Sequence, residues 1–364
     1  MDKKYMNIAL VLAEKGKGFT APNPLVGAVI IKNEKVIGQG YHQKAGGPHA
    51  EVHAINNVAE SVEGATMYVT LEPCSHYGKT PPCVDLIIKK KIKRVVVAAT
   101  DPNPLVSGRG LKKLKEAGIE VTTGVLEQES NHLNEVFNKY ITTGFPFVVM
   151  KYAMTLDGKI ATETGDSKWI SSKAARNHAH LLRGYLTGIM VGIDTVLKDD
   201  PQLTCRVPGY LNPTRIVLDS RLRIPEQANL LKDQDHAPTI ILTTKKASSE
   251  KTKILESRNI EVLTVPELDG RIDLKQAMNV LGERGIDSIL LEGGGTLNGA
   301  ALEAGIVDKV NLYVAPKLIA GEMAISPVRG QGVDNISETF NINKINYQSL
   351  GKDLLIEGYL EKRE

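Results

Sequence analysis

Pro73-Cys74-Ser75-His76-Tyr77-Gly78-Lys79-Thr80-Pro81-Pro82-Cys83 is the stretch on which the reading of this chain turns, together with His49-Ala50-Glu51 upstream of it. Zinc favours imidazole nitrogen and thiolate sulfur, and a catalytic zinc keeps three protein ligands and one open position. His49, Cys74 and Cys83 supply such a set, for one ion per chain. Glu51 follows His49 by two residues, at the start of a predicted helix, where it can reach a metal-bound water without ligating the metal. The positive end of a helix also favours thiolate over thiol. Thr80-Pro81-Pro82 reads as an N-cap followed by early-turn prolines, which places Cys83 in the first turn of the next helix.

Such a site suits hydrolytic deamination. Bound zinc lowers the pKa of water toward about 7, and a neighbouring carboxylate carries the proton to the leaving ammonia. The pattern H-x-E…P-C-x-x-C marks zinc nucleobase deaminases, but here eight residues, not two, separate the cysteines. Two alternatives stand beside this reading. One is a zinc-stabilised binding module, closed by a fourth protein ligand such as His76; Glu51 argues against it. The other is a nucleoside, deoxycytidylate or tRNA deaminase with an unrelated tail.

Working outward, the first part of the chain alternates helical and strand-like segments. Helices are predicted over Asn7–Lys15, Ala50–Ala59, Cys83–Lys91 and Leu111–Ala117. Strands are predicted over Gly27–Ile31, Lys35–Gly38, Ala65–Leu71, Arg94–Thr100 and Glu120–Gly124, with a turn at Asn33. The run Lys89-Lys90-Lys91…Lys93-Arg94 reads as a solvated helix end rather than a nucleic-acid patch. A second α/β pattern with a largely parallel sheet starts near Gly144. Its strands are Phe147–Tyr152, Gly188–Gly192, Arg215–Leu218, Thr239–Leu242, Ser288–Leu291, Lys309–Val314 and Leu354–Tyr359, with a helix over Ser172–Tyr185. The expected domains are 1–145 and 146–364.

In the second half, Glu292-Gly293-Gly294-Gly295-Thr296 follows an apolar strand and precedes a helical stretch. Backbone there can approach a phosphate, and the helix N-terminus favours anions, although a plain tight turn fits equally well. The run does not match G-x-G-x-x-G, so a Rossmann domain is not indicated. Ser167-Lys168-Trp169-Ile170-Ser171 holds the only Trp, either packed in a core before a capped helix or facing a ligand. Arg183 and Arg206 are of the right type to bind a phosphate by bidentate contacts. Cys205 reads as a small packing residue.

The widened cysteine spacing is what identifies a family. Pro73–Cys83, Pro22-Asn23-Pro24-Leu25-Val26-Gly27, Gly40–Glu51, Asp101-Pro102-Asn103-Pro104, Met154-Thr155-Leu156-Asp157-Gly158 and Glu292–Gly295 together resemble the bifunctional deaminase/reductase of riboflavin biosynthesis over nearly the whole chain. The resemblance implies a cytidine-deaminase-like α/β/α sandwich followed by a dihydrofolate-reductase-like α/β domain. It implies Zn2+ and NADPH as cofactors, and deamination then reduction of a phosphorylated pyrimidine. On that implication Asn23, His42, Lys79, Asp101 and Asn103 meet the deaminase substrate, with His42 and Lys79 on its phosphate. Lys151, Ser167, Arg183, Leu203, Arg206 and Glu292 meet the reductase substrate. Ala153, Trp169, Ser171, Thr195, Asp199, Gly294, Gly295, Thr296, Leu297, Asn298, Gly299 and Ala300 meet NADPH. Lys151, Asp199 and Glu292 are the candidates for the proton donor in reduction.

Composition excludes several classes. Of the 364 residues 42% are apolar and 24% charged, which suits two globular cores. The net charge of +3 gives no general pull toward nucleic acid or membrane. No apolar run approaches membrane-spanning length, and Met1–Asn7 lacks the apolar core of a signal peptide. Three cysteines do not make a disulfide framework. A reducing cytoplasm, small-molecule partners and a homo-oligomer, dimer or tetramer, are expected.

Overall fold

The computed structural model describes residues 1–77, 81–104 and 106–361. The chain divides into two compact units, Met1–Gly144 and Phe145–Glu364.

In the first unit the elements run α1 (Asp2–Glu14), β1 (Gly27–Lys32), β2 (Lys35–Tyr41), α2 (Ala50–Asn56), β3 (Thr66–Leu71), α3 (Cys83–Lys89), β4 (Arg94–Ala99), α4 (Arg109–Glu116), β5 (Glu120–Thr123), α5 (Glu127–Leu133) and α6 (Glu135–Thr143). The sheet order is β2-β1-β3-β4-β5. β1 is antiparallel to both neighbours, while β3, β4 and β5 are parallel. Asn33 and Glu34, at φ 49° and 62°, make the tight β1–β2 turn, and two left-handed residues match the twist of the flanking strands. Successive residues of a strand face opposite ways, and β4 uses both faces. Val95 and Val97 pack with Ala50 and Ala54 of α2, Val84 and Ile87 of α3 and Leu114 of α4. Val96 and Ala98 pack with Tyr5, Met6, Ala9 and Leu12 of α1. The result is an α/β/α sandwich.

Three local expectations shift, and two helices are added. α1 begins at Asp2, not Asn7, because Tyr5 and Met6 extend its apolar stripe. α2 ends at Asn56, not Ala59. α5 and α6 add two helices where none was expected: Ser130 is the one buried residue of α5, and α6 has none. Arg94 is not a solvated helix end, since it pairs with Asp2 at 2.8 Å and with Glu120 at 3.0 Å.

The second unit runs β6 (Phe147–Thr155), α7 (Lys173–Tyr185), β7 (Gly188–Gly192), α8 (Ile193–Asp199), β8 (Thr214–Leu218), β9 (Thr239–Thr243), α9 (Ser249–Glu256), β10 (Glu261–Thr264), the short ribbon β11 (Glu267–Leu268) and β12 (Arg271–Ile272), α10 (Leu274–Glu283), β13 (Ser288–Leu291), α11 (Gly295–Glu303), β14 (Lys309–Ala315), β15 (Ile342–Leu350) and β16 (Asp353–Leu360). Its large sheet has the order β10-β9-β8-β7-β13-β6-β14-β16-β15. Pairings from β10 to β14 are parallel, and those of β16 with β14 and β15 are antiparallel. One face carries the main core, where Val148, Met190, Ile216 and Leu242 meet Met278 and Leu281 of α10 and Ala301 of α11. On the other, Ala175 and Ala179 of α7 cover Tyr313 and Leu355. Ser172 caps α7 by accepting the Ala175 N–H. β15 is an edge strand with seven successive exposed residues, so it carries no alternating pattern to read. Ligands of open parallel sheets bind beyond the carboxyl ends of the strands, and here β6, β7 and β13 end side by side.

Candidate active sites

The first site forms where β3 runs out and two helices begin. His49 occupies the N-cap position of α2 and Cys83 is the first residue of α3. Cys74 lies in the loop after β3, and its Sγ accepts the Cys83 N–H at 3.3 Å. Thr80 lies outside the described residues, and Pro82, not Thr80, takes the N-cap position of α3, with no side-chain cap. His49 Nδ1 stands 3.4 Å from Cys74 Sγ and 3.3 Å from Cys83 Sγ, and the three donor atoms lie within 4.8 Å of one another. A tetrahedral zinc with sulfur and imidazole ligands requires nitrogen–sulfur separations of about 3.6 Å, so the donor set fits that ion. His76 is exposed and is not part of the cluster, which leaves three protein ligands among the described residues.

Glu51 is 3% exposed beside this cluster. Burial pushes its carboxyl up to about 7, with the Cys74 charge adding to the shift. The hydrogen bond from the Cys83 thiol, with His49, lowers the pKa of the Cys74 thiol. The Cys83 thiol is pushed far up, first by that same hydrogen bond and then by burial.

The wall around the cluster differs from expectation at one residue. His42 is buried, with Nδ1 3.0 Å from the Pro48 carbonyl and Nε2 3.2 Å from Asn23 Nδ2. A carbonyl only accepts, so Nδ1 carries the hydrogen and Nε2 accepts from the Asn23 amide. Burial lowers the pKa of His42, which favours this neutral ring. Both ring nitrogens of His42 are thus committed, one to Pro48 and one to Asn23. Asp101 accepts the Asn103 N–H through Oδ1 at 2.9 Å, a turn contact, and burial raises its pKa. Lys79 lies outside the described residues.

Glu72 escaped the sequence reading. Its Oε2 accepts from the Asp101 and Gly108 N–H groups at 3.3 and 2.9 Å. Its Oε1 accepts from those of Gly110 and Leu111 at 2.9 and 3.3 Å. One buried carboxylate thus ties the Cys74 turn to the Asp101–Asn103 loop and to the start of α4. A carboxylate adjoining Pro73-Cys74 was the available signal, but its partners lie 29 to 39 residues away.

The second site is a cleft of about 990 Å³ toward the carboxyl ends of β6 and β13. Lys151, Ala153, Ser167, Trp169, Ser171, Arg183, Asp199, Leu203, Arg206 and Glu292 all line it, as does His180, which the sequence did not single out. Glu292 accepts from Arg183 Nε at 2.9 Å and Nη2 at 3.0 Å, and Lys151 Nζ lies 3.6 Å from its Oε2. The fork of Arg183, expected on a phosphate, is thereby turned to Glu292; its Nη1 donates to the Thr204 carbonyl at 3.1 Å. Burial would raise the Glu292 pKa, but the Arg183 and Lys151 charges outweigh it and hold the carboxyl at about 2. Trp169 is not core: it is 62% exposed, with the Arg176 guanidinium 4.5 Å from its ring centre. Leu203 is buried at φ 55°, a strained conformation for a branched side chain, in the cleft wall.

The glycine turn adjoins this cleft through Gly293. Gly294 is the N-cap of α11 at φ −74°, a conformation open to any residue, so no backbone angle demands glycine there. A Cβ on Gly294 would meet nothing nearer than Thr195 Oγ1 at 3.9 Å. Gly295 and Gly299 behave differently. A Cβ on Gly295 would come within 2.6 Å of the Ser326 carbonyl, and one on Gly299 would run into the Arg329 carbonyl. Asn298 is fully buried and donates to the Pro327 carbonyl at 2.8 Å. These three residues, expected on NADPH, pack against the chain's own segment 326–329. Leu297 and Ala300 lean on the main core. Gly294 and exposed Thr296 remain open beside an uncapped helix N-terminus, which fits a phosphate-bearing cofactor.

The two sites define a zinc-dependent pyrimidine-deaminase domain joined to a nucleotide-dependent reductase domain. Residues 1–99 match the cytidine and deoxycytidylate deaminase zinc-binding region, and residues 146–356 match the RibD C-terminal domain. Riboflavin biosynthesis protein RibD of Actinobacillus pleuropneumoniae is 46% identical over 358 residues, covering 98% of this chain and 94% of that protein. The solved structure of Acinetobacter baumannii RibD superposes with a TM-score of 0.89 at 37% identity, covering 99% of each chain. That of a Thermotoga maritima diaminohydroxyphosphoribosylaminopyrimidine deaminase/5-amino-6-(5-phosphoribosylamino)uracil reductase gives 0.87 at 38% identity, again over 99% of each. The chain belongs to the RibD family, the bifunctional deaminase/reductases of riboflavin biosynthesis.

No helix among the described residues is long and apolar enough to cross a membrane.

Proposed function

We propose that the first site deaminates 2,5-diamino-6-ribosylamino-4(3H)-pyrimidinone 5′-phosphate. The second then reduces the ribosyl chain of 5-amino-6-(5-phosphoribosylamino)uracil to ribityl. The observation that carries the first assignment is the three-donor cluster of His49, Cys74 and Cys83 with Glu51 buried beside it. Zinc, when held by those three residues, supplies Lewis acidity that makes water a nucleophile at neutral pH. Glu51, with its carboxyl near 7, takes a proton from the attacking water and returns it to the departing amine, so water enters and ammonia leaves. Asn23, whose amide donor is taken by His42, offers its Oδ1 to a ring N–H or amino group. Asp101, Asn103 and Lys79 complete the reading of this substrate.

In the second site, NADPH supplies the hydride that reduces the opened ribose. Gly294 and Thr296 at the head of α11, with Thr195, receive its phosphates, and Ala153, Trp169, Ser171 and Asp199 its remainder. Glu292, held ionised by Arg183 and Lys151, has no proton to give. Lys151 is the donor that faces the cleft next to it, and it delivers the proton to the substrate heteroatom. Arg206, exposed on the cleft wall, takes the substrate phosphate with Ser167 and Leu203 beside it. A cytoplasmic setting suits an enzyme with reduced, zinc-binding cysteines; a homo-oligomer is the assembly proposed for it.

The test is a coupled assay with the diaminopyrimidinone phosphate, with and without NADPH, following ammonia release and nicotinamide oxidation separately. Ammonia release without NADPH, and NADPH oxidation only after it, is the expected order. Ammonia from cytidine or deoxycytidylate, with no NADPH oxidation on the riboflavin intermediate, would overturn the assignment.

A further inference from the structure

The loop that carries Asn23 is held by a residue far along the chain. Asn134, between α5 and α6, is 3% exposed. Its Oδ1 accepts the Leu25 N–H at 2.8 Å, and its Nδ2 donates to the Leu25 carbonyl at 3.0 Å. Both backbone groups of one residue are thus satisfied by one planar amide, as a neighbouring strand would satisfy them. Asn and Gln alone carry a donor and an acceptor on one such group, and Gln is longer by a methylene. Without this partner, Leu25 would leave a donor and an acceptor stranded.

The same helical segment makes a second tie. Ser130 donates to the Thr70 carbonyl at 2.6 Å, and Thr70 Oγ1 accepts the Gly27 N–H at 3.1 Å. Leu25 is separated from Asn23 only by Pro24, whose ring fixes φ, so a shift at Leu25 passes to Asn23. Asn23 is tied locally as well, by its N–H to the Thr20 carbonyl at 2.7 Å and its amide to His42. The stretch that matches the deaminase zinc-binding region ends at residue 99, so the clamp comes from outside it.

We propose that Asn134 is a positioning residue of the deaminase site, whose grip on Leu25 sets Asn23 against the substrate. The inference rests on the reading of Asn23 as a substrate contact. It assigns α5 and α6, which add almost nothing to the core, a role in substrate affinity rather than in zinc binding or chemistry.

The test uses the full chain, with the variants Asn134→Asp, Asn23→Ala and their combination. Asp keeps the acceptor but cannot donate to the Leu25 carbonyl. Asn134→Asp is expected to raise the KM for deamination by roughly tenfold, with kcat within about threefold. Zinc should remain near one per chain, and NADPH oxidation with deaminated substrate should be unchanged. In the Asn23→Ala background, Asn134→Asp should add no further rise, because both changes act through one contact. Asn134→Ala, which leaves room for water to take both hydrogen bonds, carries the same expectation should the Asp variant not fold. An unchanged KM in the zinc-loaded variant overturns the proposal. So does a full additive rise on top of Asn23→Ala, or a loss of zinc or kcat with KM unmoved, which marks a merely structural residue. A wild-type KM in Asn23→Ala alone refutes instead the reading of Asn23 beneath it.

Discussion

Glu292 accepts both arms of the Arg183 guanidinium, at 2.9 and 3.0 Å, across a separation of 109 residues in the chain. The pair closes the floor of the reductase cleft, with Lys151 Nζ 3.6 Å from the second carboxylate oxygen. Two cations share one anion, and that imbalance organises the cleft chemically. It keeps Glu292 ionised and leaves Lys151 with donors to spare for a substrate.

The carboxyl of Glu292 sits at about 2 instead of its ordinary 4.5. A depressed pKa stabilises the folded state above the unfolded value, and that stabilisation is lost as pH falls through the folded value. Denaturant titrations of wild type and Glu292→Gln should therefore differ most near neutrality. The gap should close as pH drops from about 4.5 toward 2. A gap that persists unchanged at pH 2 would show that Arg183 and Lys151 do not hold this charge.

Glu51→Gln removes the proton carrier and preserves size. The variant should retain zinc and lose deamination by roughly 10²–10⁴-fold, while reduction of deaminated substrate continues. Metal analysis and ammonia release on one preparation check this. Near-normal ammonia release from a zinc-loaded variant would remove Glu51 from the proton path.

Removal of zinc by a chelator should abolish ammonia release and leave NADPH oxidation on deaminated substrate largely intact, since the three donor atoms all belong to the first unit. Restoring about one equivalent of zinc should restore deamination. A zinc-free, folded sample that still deaminates would show that the cluster is structural.

The glycines of α11 should separate into two kinds. Gly299→Ala places a methyl against the Arg329 carbonyl, and overpacking of this sort costs about 1–3 kcal/mol, so its melting temperature should fall. The Cβ of Gly294→Val meets no such barrier. It should melt like wild type yet bind NADPH at least about tenfold more weakly, a change of ~1.4 kcal/mol. Titration of NADPH against both variants measures this. Unchanged NADPH affinity in Gly294→Val would return the turn to plain structure.

Much of the first unit was legible because its signals are local. The run Val95–Ala99 is buried on both faces of the sheet, and a continuous apolar run is what such a strand must be. Helix α5 and strand β15 were not legible, because they bury almost no apolar side chains and no periodicity marks them. Helix α6 carries Val136, Phe137, Tyr140 and Ile141 at helical spacing, a signal that was there to read.

The three clustered donors and Glu51 could be picked out from residue type and spacing alone, because few side chains bind zinc and their chemistry does not depend on the route of the chain. The same was true of the residues gathered around the reductase cleft, once their motifs were matched to a family. The direction in which a side chain is turned shows only in three dimensions. His42 has the composition of a phosphate donor, yet its two nitrogens are committed to Pro48 and Asn23. Arg183 has the fork a phosphate would need, yet Glu292 fills it. Gly299 has the look of a cofactor glycine, yet Arg329 occupies the space beside it. Glu72 and Asn134 carry no motif at all, because what they hold is backbone 29 to 109 residues away. A hydrogen bond to backbone leaves no constraint on the partner's side chain, so the sequence records the chemistry of these residues and only the folded chain decides where it is aimed.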